Sequence, residues 1–201
     1  MLKYIICLLI FFKAITAGAQ KNNEHPFLLI KTTEIEKIRE SIGLKKWRQK
    51  SWLQLKEKAD LFLKEKIDIP SRGGNWEHNY VSPVTGNELV RGKQTGNLQW
   101  EHFDGITKEK LVSDTSDIKK DYDGVVISLL HDTWAIGALQ LGLAYQLSKD
   151  RVYADKAKQI LLAYASVYPL LPIRDRDNNK GFTMAPTGVG KVHVQDLNEA
   201  L

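Results

Sequence analysis

The chain has 201 residues, with 29 lysines and arginines against 24 aspartates and glutamates, a formal net charge of +5 and a single cysteine, Cys7. So small a basic excess, without a basic stripe, gives no reason to expect a nucleic-acid partner. A single cysteine excludes a disulfide within the chain. The length suits one domain of ordinary size.

Residues 1–19 are predicted to be a secretory signal peptide. Lys3 provides the positive start, residues 4–12 form an apolar run, and residues 17–19 form a cleavage site of the A-x-A type. A membrane anchor is the alternative, but an apolar run that Lys13 ends so soon is too short to cross a bilayer. Cleavage would leave 27 basic and 24 acidic residues, a net charge of +3. We therefore expect a periplasmic protein with no membrane attachment after cleavage.

Two helices are predicted in the first third of the mature chain. Thr33 and Glu36 have the spacing of a capping box that opens a helix. This helix is predicted to run to about Ile42 and to be ended by Gly43. A second helix is expected from about Lys45 to Lys66, before Pro70. Its apolar face is formed by Trp52, Leu55, Ala59, Phe62 and Ile67.

Residues 71–122 lose helical periodicity and are predicted to be a long loop, with which short strands are compatible. Aromatic residues argue that this loop is ordered, because disordered segments are poor in them. Trp76, Tyr80 and Trp100 leave two explanations open. Their rings either stack on sugar rings, with charged neighbours holding carboxylates or sulfates, or they pin the loop to the helices.

Residues 125–169 carry two long apolar helical patterns joined by the short polar hinge Ser148, Lys149 and Asp150. A connection this short makes the helices antiparallel neighbours, so the pattern predicts an αα-hairpin. The first helix is apolar around most of its circumference and needs more cover than one partner provides. We expect the hairpin to belong to a larger helical array.

No metal or cofactor is expected. Residues 187–191 resemble a phosphate loop, but they lack its first glycine and the serine or threonine after the lysine. Residues 175–179 resemble a calcium loop without its glycine and terminal glutamate. The five histidines show no zinc-ligand spacing. His131 is predicted to be a hydrogen-bonded core histidine, with a position facing a cleft as the alternative.

Several segments, in this order and spacing, resemble the N-terminal part of the heparinase II/III-like and alginate-lyase-like polysaccharide lyases. They are HPFLL (25–29), WEHNY (76–80), YDG (122–124), LGLAY (141–145), YA (153–154), ILLAYA (160–165) and GKVHVQDLNEA (190–200). The resemblance implies an all-α fold, the N-terminal part of an incomplete (α/α) toroid with long ordered loops. Residues 20–201 would form this part. The chain looks truncated at its C-terminus, because the last helical pattern begins near Val192 and stops at Leu201 without a helix-ending signal.

The resemblance also implies a reaction and a set of contacts. The family removes the C5 proton of a uronic acid and expels the 4-O-linked sugar, so the expected partner is an acidic polysaccharide or oligosaccharide. The family's catalytic residues would follow Leu201, so none is assigned and the chain alone is expected to be inactive. It is also expected to be prone to aggregation, because its hairpin would expose an unpaired apolar face. The resemblance makes Gln195 the best substrate-binding candidate, near His193, Lys191 and Glu199, while Trp76 and Tyr80 are weaker ones. Helix capping and loop anchoring remain the alternative for these residues.

Two other functions stay open at this stage. A glycoside hydrolase on an (α/α) barrel would need two carboxylates facing each other across a cleft. A non-catalytic, exported glycan-binding helical protein would need only the binding surface.

Overall fold

The structure, a computed structural model, describes residues 30–171. The chain is divided into two compact units, one up to Gln49 and one from Lys50. The helices are α1 (Thr32–Ser41), α2 (Lys46–Lys64), α3 (Tyr122–Ser148) and α4 (Arg151–Val167), with single 3₁₀ turns at Ile42–Leu44, Glu77–Asn79 and Tyr168–Leu170. The strands are β1 (Leu89–Gly96), β2 (Gln99–Asp104) and β3 (Lys110–Leu111).

The described chain is mostly helical, with 58% helix and 13% strand, so helices dominate as expected. The expectation of an all-α fold is nevertheless too simple, because the predicted long loop contains a three-stranded sheet. The described residues show no toroid, and that arrangement remains a prediction. The predicted signal peptide and the segment from 172 onwards lie outside the described residues.

Helix α1 begins two residues earlier than the predicted capping box would place it. The side chain of Glu34 reaches back and accepts a hydrogen bond from the backbone N–H of Lys31, 2.8 Å from its Oε2 atom. A glutamate in this position satisfies a donor that helix geometry leaves free, and it favours the positive end of the helix dipole. Thr33 therefore lies inside the helix.

The predicted hairpin is confirmed. Asp121 caps α3 by accepting the N–H of Gly124 at 2.9 Å, and Asp150 caps α4 by accepting the N–H of Val152 at 3.1 Å. Between the two helices, Lys149 adopts a left-handed conformation with φ of 62°. That conformation ends α3 after Ser148 and turns the chain back along it.

The three strands form an antiparallel meander in the order β1-β2-β3. Leu89 pairs with Asp104, and Arg91 pairs with His102. The ladder is irregular beyond Arg91, where the register shifts twice before Gly96. On the other side, His102 pairs with Leu111. Because side chains alternate across a sheet, His102 and Asp104 lie on the same face, and both are buried.

Two apolar cores hold the second unit together. One lies where α2, α3 and α4 meet and contains Ala59, Trp134, Leu141, Tyr153, Ala157 and Ile160. The hydroxyl of Tyr153 donates to Asp60 at 2.6 Å and so joins α4 to α2. The other core lies between the sheet and the first turns of α3 and contains Tyr80, Leu89, Tyr122, Val125 and Val126.

Helix α3 is the one described helix that is long and apolar enough to cross a membrane by length and composition. Core helices of soluble proteins pass the same test. In α3 the first turns pack against the sheet, and Trp134 and Leu141 pack among α2 and α4.

Candidate functional site

A cavity of about 370 Å³ lies beside β1, the turn that joins it to β2, and the middle of α3. This volume falls near the lower end of the range of ligand pockets, roughly 300–1,000 Å³. All its lining residues belong to the second unit of the chain. They are Asp68, Pro70, Arg91, Gly92, Gln94, Leu98, Trp100, Leu130 and Trp134.

Two tryptophans of the cavity wall are held in place by their own hydrogen bonds. Trp134 is 7% exposed, and its indole Nε1 donates to the carbonyl of Asp68 at 3.0 Å. The ring of Phe62 supports it at a centroid distance of 6.1 Å. Trp100 is half-buried, and its backbone N–H donates to Asp123 Oδ1 at 2.8 Å. An indole held as that of Trp134 is offers apolar contact area at little entropic cost, whereas the hydrogen bond of Trp100 holds its backbone.

Arg91 gives the cavity its positive charge. It is exposed on β1, opposite His102 of β2. Within residues 30–171 it forms no salt bridge and no side-chain hydrogen bond, although burial raises the pKa of the Tyr80 hydroxyl and the charge of Arg91 partly opposes that rise. No residue of the described chain therefore competes with an anion for its guanidinium. Asp68 provides the cavity's one carboxylate among the described lining residues.

A buried chain of three polar side chains joins this part of the sheet to the start of α3. His102, which is fully buried, contacts the hydroxyl of Tyr80 through Nδ1 at 2.9 Å and Asp123 Oδ1 through Nε2 at 3.0 Å. An ionised carboxylate only accepts hydrogen bonds, so Nε2 carries a proton and donates it to Asp123. In the neutral ring Nδ1 is then an acceptor, and Tyr80 donates to it.

Tyr80 is 8% exposed, and burial raises the pKa of its hydroxyl to about 12, against the smaller opposing effect of Arg91. It therefore keeps its proton at neutral pH. Its contacts favour the pinning explanation that the sequence left open, because its hydroxyl ties the loop to β2 and its ring packs edge-on against Tyr122. Sugar contact by Tyr80 remains a prediction.

Trp76 lies elsewhere, at the start of the Glu77–Asn79 turn. It is 38% exposed, and its ring packs on that of His78 with centroids 4.5 Å apart. It does not line the cavity. The other predicted substrate contacts, Gln195, His193, Lys191 and Glu199, lie outside the described residues.

A second polar network braces the start of α3. Arg72 forms a two-pronged ion pair with the buried Asp121, at 2.8 and 3.1 Å. Asn75 donates to the carbonyls of Ile118 and Asp121 at 2.7 and 3.0 Å. These contacts hold the segment around Arg72 and Asn75 against the loop that leads into α3.

His131 is a hydrogen-bonded histidine, as predicted. Its Nε2 lies 2.9 Å from the carbonyl of Arg72 and its Nδ1 lies 3.0 Å from the hydroxyl of Tyr164. Because a carbonyl only accepts, Nε2 carries the proton. In the neutral ring Nδ1 is then an acceptor for the hydroxyl of Tyr164, which also lies 3.3 Å from the backbone carbonyl of His131. Burial raises the pKa of Tyr164 to about 12, so this donor stays protonated.

Among the described residues that line the cavity, Trp100 is the one that the sequence suggested as a possible sugar contact. Nothing in the sequence pointed to Arg91 or Trp134 as residues of a binding site. Trp134 belongs to the apolar pattern that predicts the first helix of the hairpin, and its ring lies in the core between α2, α3 and α4. Arg91 gave no signal, because its place beside the cavity depends on the pairing of β1 with β2.

Among residues 30–171, no group of three or more histidine, cysteine, aspartate or glutamate side chains is placed to hold a metal ion. Comparison with known protein families, with curated proteins and with solved structures found no match to this chain.

Proposed function

We propose that this protein is part of an exported, periplasmic polysaccharide lyase that cleaves a uronic-acid-containing glycan by β-elimination, with the helical hairpin as part of an incomplete (α/α) toroid. The cavity is the observation that carries the proposal furthest. Two anchored tryptophans, an arginine without a partner in the described chain and one carboxylate are a set of groups suited to a charged sugar. The order and spacing of the segments that resemble these lyases point the same way.

The reaction makes specific demands. A base takes the C5 proton of the uronate, the electrons form the C4–C5 double bond, and the C4–O bond breaks as the leaving oxygen takes up a proton. The C5 proton is acidic enough only when hydrogen-bond donors or positive charge neutralise the neighbouring carboxylate. Arg91 is a group of that kind. No described residue is assigned as the base, since Tyr80 is covered and keeps its proton.

Lyase activity is tested with the product of the complete gene. The protein is mixed with mannuronate and glucuronate polymers and, as a matched control, with the same polymers after reduction of their carboxyl groups. We expect ultraviolet absorbance from the new conjugated double bond only with the uronate polymers, because reduction removes the group that acidifies C5. Absence of unsaturated product from every uronate polymer would overturn the proposed activity.

A glycan-binding protein without catalysis is the second candidate. One observation favours it: neither tyrosine nor histidine is among the described residues that line the cavity, which leaves Asp68 as the one described lining side chain that could act as a base. Calorimetric binding of uronate oligosaccharides without any product from the complete gene product would support this candidate. A glycoside hydrolase fits the cavity less well, since Asp68 alone cannot provide a facing carboxylate pair.

A further inference from the structure

We infer that the cavity is a subsite for one acidic sugar unit and that Arg91 is the residue that selects it, by binding its carboxylate while the ring contacts Trp100. The choice of a sugar as ligand rests on the proposed function. The selection of an anion rests on the geometry of the cavity itself.

Arg91 is available because its neighbours are satisfied without it. Its cross-strand partner His102 is hydrogen-bonded at both ring nitrogens. Asp123 Oδ1 accepts from His102 and from the backbone of Trp100. Within the described chain Arg91 is also the one cationic side chain that lines the cavity. The guanidinium presents a flat fork of N–H donors that fits a carboxylate, so it suits a uronate better than a neutral sugar.

The remaining groups of the wall suit the rest of a sugar unit. Trp100 is half-buried and so has ring surface open to a ligand, whereas Trp134 is buried deeper and anchored to Asp68. An aromatic face contacts the C–H side of a sugar ring, and a carboxylate accepts from its hydroxyls. Gln94 is turned back onto its own strand, where its side-chain amide donates to Gly96 at 3.0 Å. Arg91 and Asp68 are the two charged residues among the described lining residues, and they remain for polar contact with the ligand.

The test is isothermal titration of the 201-residue chain with mannuronate and glucuronate trisaccharides and with their carboxyl-reduced counterparts. We expect at least one uronate to bind about tenfold tighter than its reduced counterpart, with affinity that falls as salt is added, since a charge-assisted pair accounts for the difference. Equal affinity for both forms, or no saturable binding of either uronate, would overturn the inference.

Two variants of the same strand localise the effect. Arg91→Gln should abolish the preference for the uronate. Lys93→Gln removes the same charge two residues away, from an exposed side chain outside the cavity lining, and should keep the preference. Arg91→Lys keeps the charge without the forked geometry and should give an intermediate preference. A preference that survives in Arg91→Gln, or that Lys93→Gln removes equally, would show that Arg91 does not select the ligand.

The outcomes separate this inference from the lyase proposal. Uronate binding that depends on Arg91, together with no unsaturated product from the complete gene product, keeps the subsite and overturns the lyase. Unsaturated product together with a binding preference that ignores Arg91 keeps the lyase and overturns the subsite. If Arg91→Gln fails to fold, the salt dependence in the unmodified chain and the behaviour of Arg91→Lys decide the matter.

Discussion

His102 is the residue on which the sheet and the start of α3 both depend. It is fully buried and held between the hydroxyl of Tyr80 and the carboxylate of Asp123. A buried polar group that loses its partner costs more than the hydrogen bond contributed, because the remaining group stays dehydrated. The chain of three side chains therefore fixes the register of β2 and, through it, the position of Trp100 at the cavity.

Tyr80→Phe should lower the free energy of unfolding by about 1–3 kcal/mol, since Nδ1 of His102 would lose its donor inside the core. Tyr145→Phe is the matched control, because the hydroxyl of Tyr145 makes no hydrogen bond to another described residue and, of its side chain, the ring alone contacts Lys149. Urea unfolding of the two variants measures the difference. Equal stability of the two would show that the buried contact contributes nothing.

Asp104 should make the protein sensitive to acid. Its carboxylate accepts hydrogen bonds from the hydroxyl of Thr85 and from the backbone N–H groups of Thr107 and Ile106, and these hold its pKa well below the ordinary value of 3.8. A lowered folded-state pKa gives stability that is present above the unfolded-state value and is lost as the pH falls towards the folded-state value. The free energy of unfolding should therefore decline as the pH drops below about 4.

Asp104→Asn tests this sign. The variant should be less stable at neutral pH, and its stability should change less between about pH 5 and pH 2, because the titrating group is gone. Asp155→Asn, at an exposed position on α4, should leave the pH profile unchanged. Denaturant unfolding at a series of pH values measures all three proteins. Parallel profiles for Asp104→Asn and the unmodified protein would contradict the argument.

At the scale of the elements, α2 lies close to α3 because a glycine makes room for it. A Cβ atom added at Gly137 would lie 2.5–2.8 Å from the ring atoms of Phe62. At Gly142, one and a half turns further along the same helix, an added Cβ would meet nothing within 4 Å. Two glycines of one helix thus have different physical roles.

Gly137→Ala should destabilise the protein by about 1–3 kcal/mol, because overpacking against Phe62 costs more than the better helix propensity of alanine contributes. Gly142→Ala should instead stabilise it, by up to about 1 kcal/mol, since propensity is the one effect there. Thermal unfolding followed by circular dichroism compares them. A stabilised Gly137→Ala would mean that Phe62 moves aside without cost.

The hairpin was predictable and the sheet was not, for reasons that lie in particular residues. Helix periodicity and the polar hinge at Ser148 are local signals, and the short connection fixes the pairing of α3 with α4. Strand β1 buries Leu89 alone among its eight residues, so it lacks the alternation that predicts a strand. The cavity depends on pairing between β1 and β2 and on the packing of α3, which no local pattern in the sequence encodes.

At the scale of the whole molecule, the hairpin presents apolar side chains to solvent. Leu129, Ile136 and Leu139 of α3 are 44%, 51% and 47% exposed. Apolar residues at helical spacing on an exposed face favour association. We therefore expect the 201-residue chain to self-associate as its concentration rises.

The double variant Ile136→Lys and Leu139→Lys should shift the protein towards monomer without lowering its thermal midpoint, because neither residue is in the core. Thr133→Lys adds a lysine at another exposed position of α3 without removing an apolar residue, and should leave association unchanged. Size-exclusion chromatography with light scattering gives the mass of each. A monomeric unmodified protein at all concentrations would refute the expectation.

The central claim, that this protein takes part in elimination on uronate glycans, is tested most directly by the mass of the products. Mass spectrometry is applied to oligosaccharides released from a uronate polymer by the complete gene product. We expect new non-reducing ends that are one water lighter than hydrolysis would leave, because the C4–O bond breaks with loss of the C5 proton. Products that all have the full mass of hydrolysed sugars, or no products at all, would contradict it.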